Sequence, residues 1–202
     1  MPKLFSVRPT LSVKGRKFMG LRGFSGKPTH PPLTDFPVVC FVLAALFDLI
    51  SYVSDGADPK AHDFFAAATF VMVAGYVVGL GAVLTGFMDW WKGIPRDKSG
   101  PIGKAKHTQA WRTMNFHGTV MLVVMACTLA DLLLRVPNFD KGQTQPAWLV
   151  LSLLAGALVT FGAAYGGTLV FDYGFNVENV KQAWDESEED YVRPERGKRP
   201  PS

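Results

Sequence analysis

Two histidines and three charged residues stand where an apolar chain has least reason to keep them. His30 and His117 each lie at the start of a long apolar stretch. Neutral imidazole is an axial ligand of haem iron, and two imidazoles on separate helices at matched depth make the donor set of a bis-histidine haem b inside a helical bundle. Arg112, just before His117, is then placed to meet a haem propionate. The residues leave two alternatives open: a structural pair of interfacial histidines, or a site for quinone or proton transfer. Asp48 and Asp131 lie well inside apolar runs, where a carboxylate is costly and faces a protein interior or a water cavity. Arg135 follows Asp131 by one helical turn, so an ion pair is expected there. Asp48, Ser51, Tyr52 and Asp55 share one face of the first run, and Thr128, Asp131 and Arg135 share one face of the third. Together they predict a polar cluster at the outer ends of the helices, with a proton or cation site using Asp48 and Asp131 as the alternative. His62 and His107 fall in loops and read as surface residues.

The elements that carry these groups are four apolar runs at about 36–53, 64–88, 117–134 and 147–171. Each is near the ~20 residues that cross a ~30 Å hydrocarbon core. The expected fold is all-α, a four-helix transmembrane bundle. Of the 21 Lys and Arg residues, all but Lys60, Arg135 and Lys141 fall in the two termini and the loop between runs two and three. The positive-inside rule makes that side cytoplasmic, with both termini inside. The basic balance is therefore an orientation signal with an attraction to anionic lipid, and does not imply nucleic acid.

Three regions follow. Residues 1–28 form a basic segment with interleaved Phe5, Phe18, Met19, Leu21 and Phe24, suited to the headgroup interface. Residues 29–177 form the membrane domain, and residues 178–202 form an extended charged tail whose composition disfavours independent folding. Within the domain, Gly75 and Gly79 in run two and Gly162 and Gly166 in run four supply small residues one turn apart for close helix packing in lipid. Matching Asp48 with Asp131 superposes runs one and two on three and four, so the bundle reads as two repeated helical hairpins. Pro31 and Pro32 disfavour ordinary helix around His30 and point to an interfacial position for it. A loop at 89–116, with Trp90, Trp91 and Trp111, is long enough to dock partners or to anchor at the interface. Cys40 and Cys127 lie within runs and read as small apolar residues, without the spacing of a metal site.

The segment His30-Pro31-Pro32-Leu33-Thr34-Asp35-Phe36-Pro37 resembles the opening of the bacterial four-helix membrane family catalogued as domain of unknown function 2231. Asp48, Gly86, Asp89 and His117 fall where that family has an acid late in its first span, a Gly-x-x-Asp ending to its second and a histidine opening its third. The stretch from Gly166 to Gly174 resembles its signature after the fourth span. Asp35 stands where the family often has a second histidine, and Asp172 and Tyr173 stand in the place of polar or histidine residues. The resemblance implies a four-span fold, leaves activity open, and through relatives near Rieske-type proteins implies respiratory electron transfer with other membrane or redox subunits as partners.

No nucleophile–base arrangement or phosphate loop is visible, so no independent catalytic activity is expected. The preferred expectation is an accessory or anchoring subunit of a respiratory complex in the bacterial cytoplasmic membrane. The alternative is a b-type cytochrome-like electron carrier with His30 and His117 as haem ligands, and the third is a small proton or cation transporter.

Overall fold

The computed structural model describes residues 16–93 and 109–176, which form a four-helix bundle. The first fifteen residues, the loop at 94–108 and the chain after residue 176, including the tail at 178–202, lie outside the described residues. Helix α1 spans His30–Val53, α2 Pro59–Lys92, α3 Gln109–Arg135 and α4 Pro146–Phe171. All four are long and apolar enough to cross a membrane. α1 packs along α2 and α4, and α3 along α4 and α2, so α1 and α3 are diagonal partners. Two hairpins, α1–α2 and α3–α4, thus lie side by side.

Three helices begin well before the apolar runs do. α1 starts at His30, and the expectation that its prolines hold the histidine out of the helix is corrected. Pro31 and Pro32 occupy the first turn, where a helix has no use for their missing N–H groups. Pro37 lies one turn further in and is buried, with its ring facing Gly79 of α2. α2 starts at Pro59, behind an Asp58 cap whose carboxylate accepts from the Lys60 amide at 3.0 Å. Trp90, Trp91 and Trp111, expected in the long loop, are helical.

Large apolar residues such as Phe70 (67% exposed), Val77 (63%) and Val150 (62%) cover the outside of the bundle. That pattern suits a hydrocarbon solvent, in which close packing of small residues holds the helices together. A β-carbon on Gly75 would lie 2.6 Å from Cys40 Cβ, and one on Gly162 would lie 2.7 Å from Met121 Cε. Gly79 faces the Met125 thioether. The bundle centre is filled by Phe41, Val124, Ala155 and Val159, with Ala44, Met72 and Leu132 beyond them.

Before α1, a turn at Gly20–Arg22 leads into a two-strand ribbon, β1 Gly23–Phe24 and β2 Lys27–Pro28, pairing Gly23 with Pro28 and Phe24 with Lys27. Arg22 ties this ribbon to the end of α2 through a 2.7 Å ion pair with Asp89.

Candidate functional site

At the end of the bundle where α1 and α3 begin, the two hairpins leave a slot of about 850 Å³ between them. One histidine stands in each wall. His30 Nδ1 lies 2.9 Å from the Ala82 carbonyl of α2, and His117 Nδ1 lies 2.9 Å from the Gly162 carbonyl of α4. A carbonyl can only accept, so each Nδ1 carries the proton and each Nε2 is left with its lone pair. Among the described residues neither Nε2 has a hydrogen-bond partner. The ring centroids are 6.3 Å apart, with planes at 80°.

The same local device appears in both hairpins. Four residues after each accepting carbonyl comes a glycine, Gly86 or Gly166, and the imidazole edge rests on it. A β-carbon at Gly86 would sit 2.8 Å from His30 Cε1, and one at Gly166 would sit 3.1 Å from His117 Cε1. Thr85 adds a second contact, 3.3 Å from His30 Nδ1. The glycine that the sequence suggested for helix packing at 166 thus also makes room for a ring.

The slot reaches exposed residues on both flanks, Phe87 and Leu122 where α2 meets α3, and Val39 and Phe171 where α4 meets α1. At the bottom, the slot becomes polar. Asn115 accepts from Trp90 Nε1 at 2.6 Å, Asp89 is neutralised by Arg22, and Asn176 lines the slot with its Nδ2 buried and without a partner. Arg112 is exposed on α3 and is not part of the lining. Arg22 is brought to this end by the ribbon that precedes α1.

The second constellation lies at the opposite end. Arg135 is fully buried between two carboxylates, Nη2 to Asp48 Oδ2 at 2.7 Å and Nη2 to Asp131 Oδ2 at 2.8 Å. Its Nε donates to Asp131 Oδ1 at 3.0 Å and its Nη1 to Asp48 Oδ1 at 3.1 Å, so both pairings are two-pronged. Thr144 donates to Asp48 at 2.8 Å, Thr69 accepts weakly from Nη1 at 3.4 Å, and the Phe65 ring lies under the guanidinium at 5.8 Å. Gln143 and Thr144 hold the connection between α3 and α4 against Ser51 and Ser54 at the end of α1. Tyr52 and Asp55, on the stripe with Asp48, are exposed. Thr128 is buried but bonds within its own helix, to the Val124 carbonyl at 2.9 Å. His62 lies exposed beside Asp63 at 3.7 Å.

The Arg135 cluster joins both hairpins and the connection between α3 and α4 around one cation, with all three charged side chains fully buried. The histidine slot is open and carries unpaired donors and lone pairs. The two ends thus differ: an open slot between the histidines, and a closed, fully paired ion cluster around Arg135. No group of three or more His, Cys, Asp or Glu side chains able to hold a metal ion occurs among the described residues.

Neither the curated proteins nor the solved structures contain a match to this sequence. A family model described as a predicted membrane protein, DUF2231, matches residues 26–179, from the ribbon before α1 to just beyond the described end of the chain. With four spans, both histidines and both aspartates inside that match, this chain belongs to the DUF2231 family of membrane proteins.

Proposed function

We propose that this protein is a membrane-embedded b-type cytochrome, an electron carrier that holds one haem between its hairpins with His30 and His117 as the axial ligands. The observation that carries this reading is the pair of imidazoles, one in each wall of the slot, with ring centroids 6.3 Å apart and each Nδ1 tied to a backbone carbonyl. With a metal–nitrogen bond of about 2 Å, a ring-centre separation of 6.3 Å would leave room for one metal ion held by both imidazoles. The carbonyl bonds fix the tautomer that leaves Nε2 available, as the outer partners of metal-bound histidines do. A slot of about 850 Å³ lies within the usual range for cofactor and ligand sites.

Bound haem would supply a reversible one-electron couple. Among the described residues, the chain fixes two imidazoles and surrounds them with a lining that is mostly apolar and includes Met114, Met121 and Met125. The distribution of basic residues supports a cytoplasmic position for the histidine end, where, in a bacterial inner membrane, a redox partner would exchange electrons with it. The accessory-subunit reading would draw on the loop at 94–108, which lies outside the described residues. A cation carrier needs a carboxylate free to exchange partners, and Arg135 engages both Asp48 and Asp131.

The test is an absorption spectrum of protein made in haem-replete cells and purified in mild detergent, oxidised and then reduced with dithionite. Sharp α and Soret bands at about one haem per chain are expected. A flat visible spectrum from folded, haem-supplied protein would remove the cytochrome reading. The glycines supply an independent handle. Gly86→Ala should push the His30 ring off the Ala82 carbonyl and lower haem content about tenfold or more, while Gly81→Ala, whose added β-carbon meets nothing within 4 Å, should leave it unchanged. Equal haem content in the two variants would show that the seat of His30 does not matter to the ligand.

A further inference from the structure

The polar bottom of the slot has a donor with nothing to donate to. Asn176 Nδ2 is buried and unpartnered, and its side chain lines the same cavity as the histidines. Buried amide N–H groups are almost always paired, so an orphan of this kind points to an acceptor that is not among the described residues. Its position is built, since α4 ends in a turn in which the Phe175 amide donates back to the Leu169 carbonyl at 2.8 Å. Gly174 takes φ +58°, a left-handed conformation that costs a glycine little, and Asn176 takes φ 55°, which asparagine tolerates better than most residues. Phe175 packs on Met114 and Leu169, and the reversal brings Asn176 under the slot.

Asn115 stands in the same lining. Trp90 Nε1 donates to its Oδ1 at 2.6 Å, which fixes the amide so that its Nδ2 is the end left to donate. Among the described residues, that Nδ2 has no partner. Two carboxylates stand in the lining: buried Asp89 has its charge matched by Arg22 at 2.7 Å, so it does not repel an incoming anion as a bare carboxylate would, and Asp35 is exposed on α1, where solvent screens its charge. Two amide N–H₂ groups and a neutralised acid below an apolar slot make a receptor for an oxygen acceptor carried on the edge of a large apolar molecule.

We propose that Asn115 and Asn176 form a carboxylate-binding end to the histidine slot, so that the ligand seats with its acid groups toward the turn that follows α4. The proposal rests on the haem reading and names the orientation of that ligand and the residues that set it. A haem's two propionates are the matching acceptors, and Arg112, exposed on α3, is not the residue that meets them.

The experiment compares haem with its dimethyl ester, which keeps the macrocycle and iron but caps both acids. Full-length protein made without haem, in detergent, is titrated with each, and binding is read from the low-spin bis-imidazole absorption bands. Wild type should bind the free acid about tenfold or more tightly than the ester, the scale of a hydrogen bond to a charged acceptor. Asn176→Leu should remove most of that preference by weakening acid binding more than ester binding, with the band positions as they were. Asn115→Leu should act in the same direction, and serves as the second variant if Asn176→Leu does not accumulate. A wild type indifferent to esterification overturns the proposal with no variant needed, and so does an Asn176→Leu protein with the full preference. Absence of bis-imidazole bands with either ligand would instead overturn the haem reading and this proposal with it.

Discussion

Replacing Arg135 by methionine is expected to destabilise the folded protein by about 3–5 kcal/mol, the scale of breaking a buried ion pair by removing one partner. The cation sits between Asp48 and Asp131 with all three side chains fully buried. Without it, two carboxylates face each other in an apolar bundle, and the oxygens of Asp48 keep only the Thr144 hydroxyl at 2.8 Å. Lysine is a poor substitute, because one ammonium cannot span two carboxylates in the two-pronged geometry that the guanidinium adopts. Removing all three charges together, as Asp48→Leu, Asp131→Leu and Arg135→Met, should recover much of the loss, since an apolar replacement leaves no unpaired charge behind. Unfolding by sodium dodecyl sulfate in mixed micelles, followed by helical circular dichroism, reads these differences. An Arg135→Met protein within about 0.5 kcal/mol of wild type, the scatter of an ordinary surface substitution, would mean that the cluster does not hold the hairpins together.

The second large effect is expected at the histidines. His117→Ala removes the donor from the α3 wall, and His30→Ala removes it from the α1 wall, each leaving a hole beside a glycine. A haem with one imidazole should be high-spin, and its affinity should fall about a hundredfold or more, comparable to the loss of a ligand-supporting interaction at other metal sites. Added imidazole should re-enter the hole and restore the low-spin bands. The two variants should behave alike, because both rings are seated in the same way. Retention of the wild-type spectrum by either variant would mean that another side chain is the ligand. Loss of folding in both, read by circular dichroism, would assign the rings a structural role instead.

Much of the bundle is legible because membrane spans are written in long apolar runs, and the Asp131–Arg135 pair because one helical turn is a local distance. What the residues hide is everything set by contact between helices. Asp48 reaches Arg135 across the bundle, and Thr69 and Thr144 join it from α2 and from the loop before α4. Nothing in their spacing announces that meeting. Tyr52 and Asp55 share the helical stripe of Asp48, yet α1 ends at Val53 and they are exposed. The seat of each imidazole is a backbone carbonyl, which has no residue identity to read. Asn176 escapes a reading of the residues for the same kind of reason, since only the reversal at Gly174 brings it under the slot. The prolines mislead in the other direction. Expected to break the chain around His30, they instead begin the helix that carries it.

One signal does survive in the sequence. Gly166, Gly167 and Gly174 fall in the stretch that resembles a family signature, and two of the three have a physical role. Gly166 clears the His117 ring, and Gly174 turns the chain back. The same logic at Gly86, beneath His30, makes the two hairpins equivalent at this end. Two walls, each with one anchored imidazole, are what a duplicated hairpin would bring to a shared ligand.

Whether His30 and His117 face each other across one haem is read most directly by a low-temperature electron paramagnetic resonance spectrum of the ferric protein. Axial imidazole planes 80° apart predict a low-spin signal of the strongly anisotropic kind that near-perpendicular ligand planes produce. A high-spin ferric signal alone, or no haem signal from folded protein supplied with haem, would overturn the assignment of these two histidines as a haem's ligands.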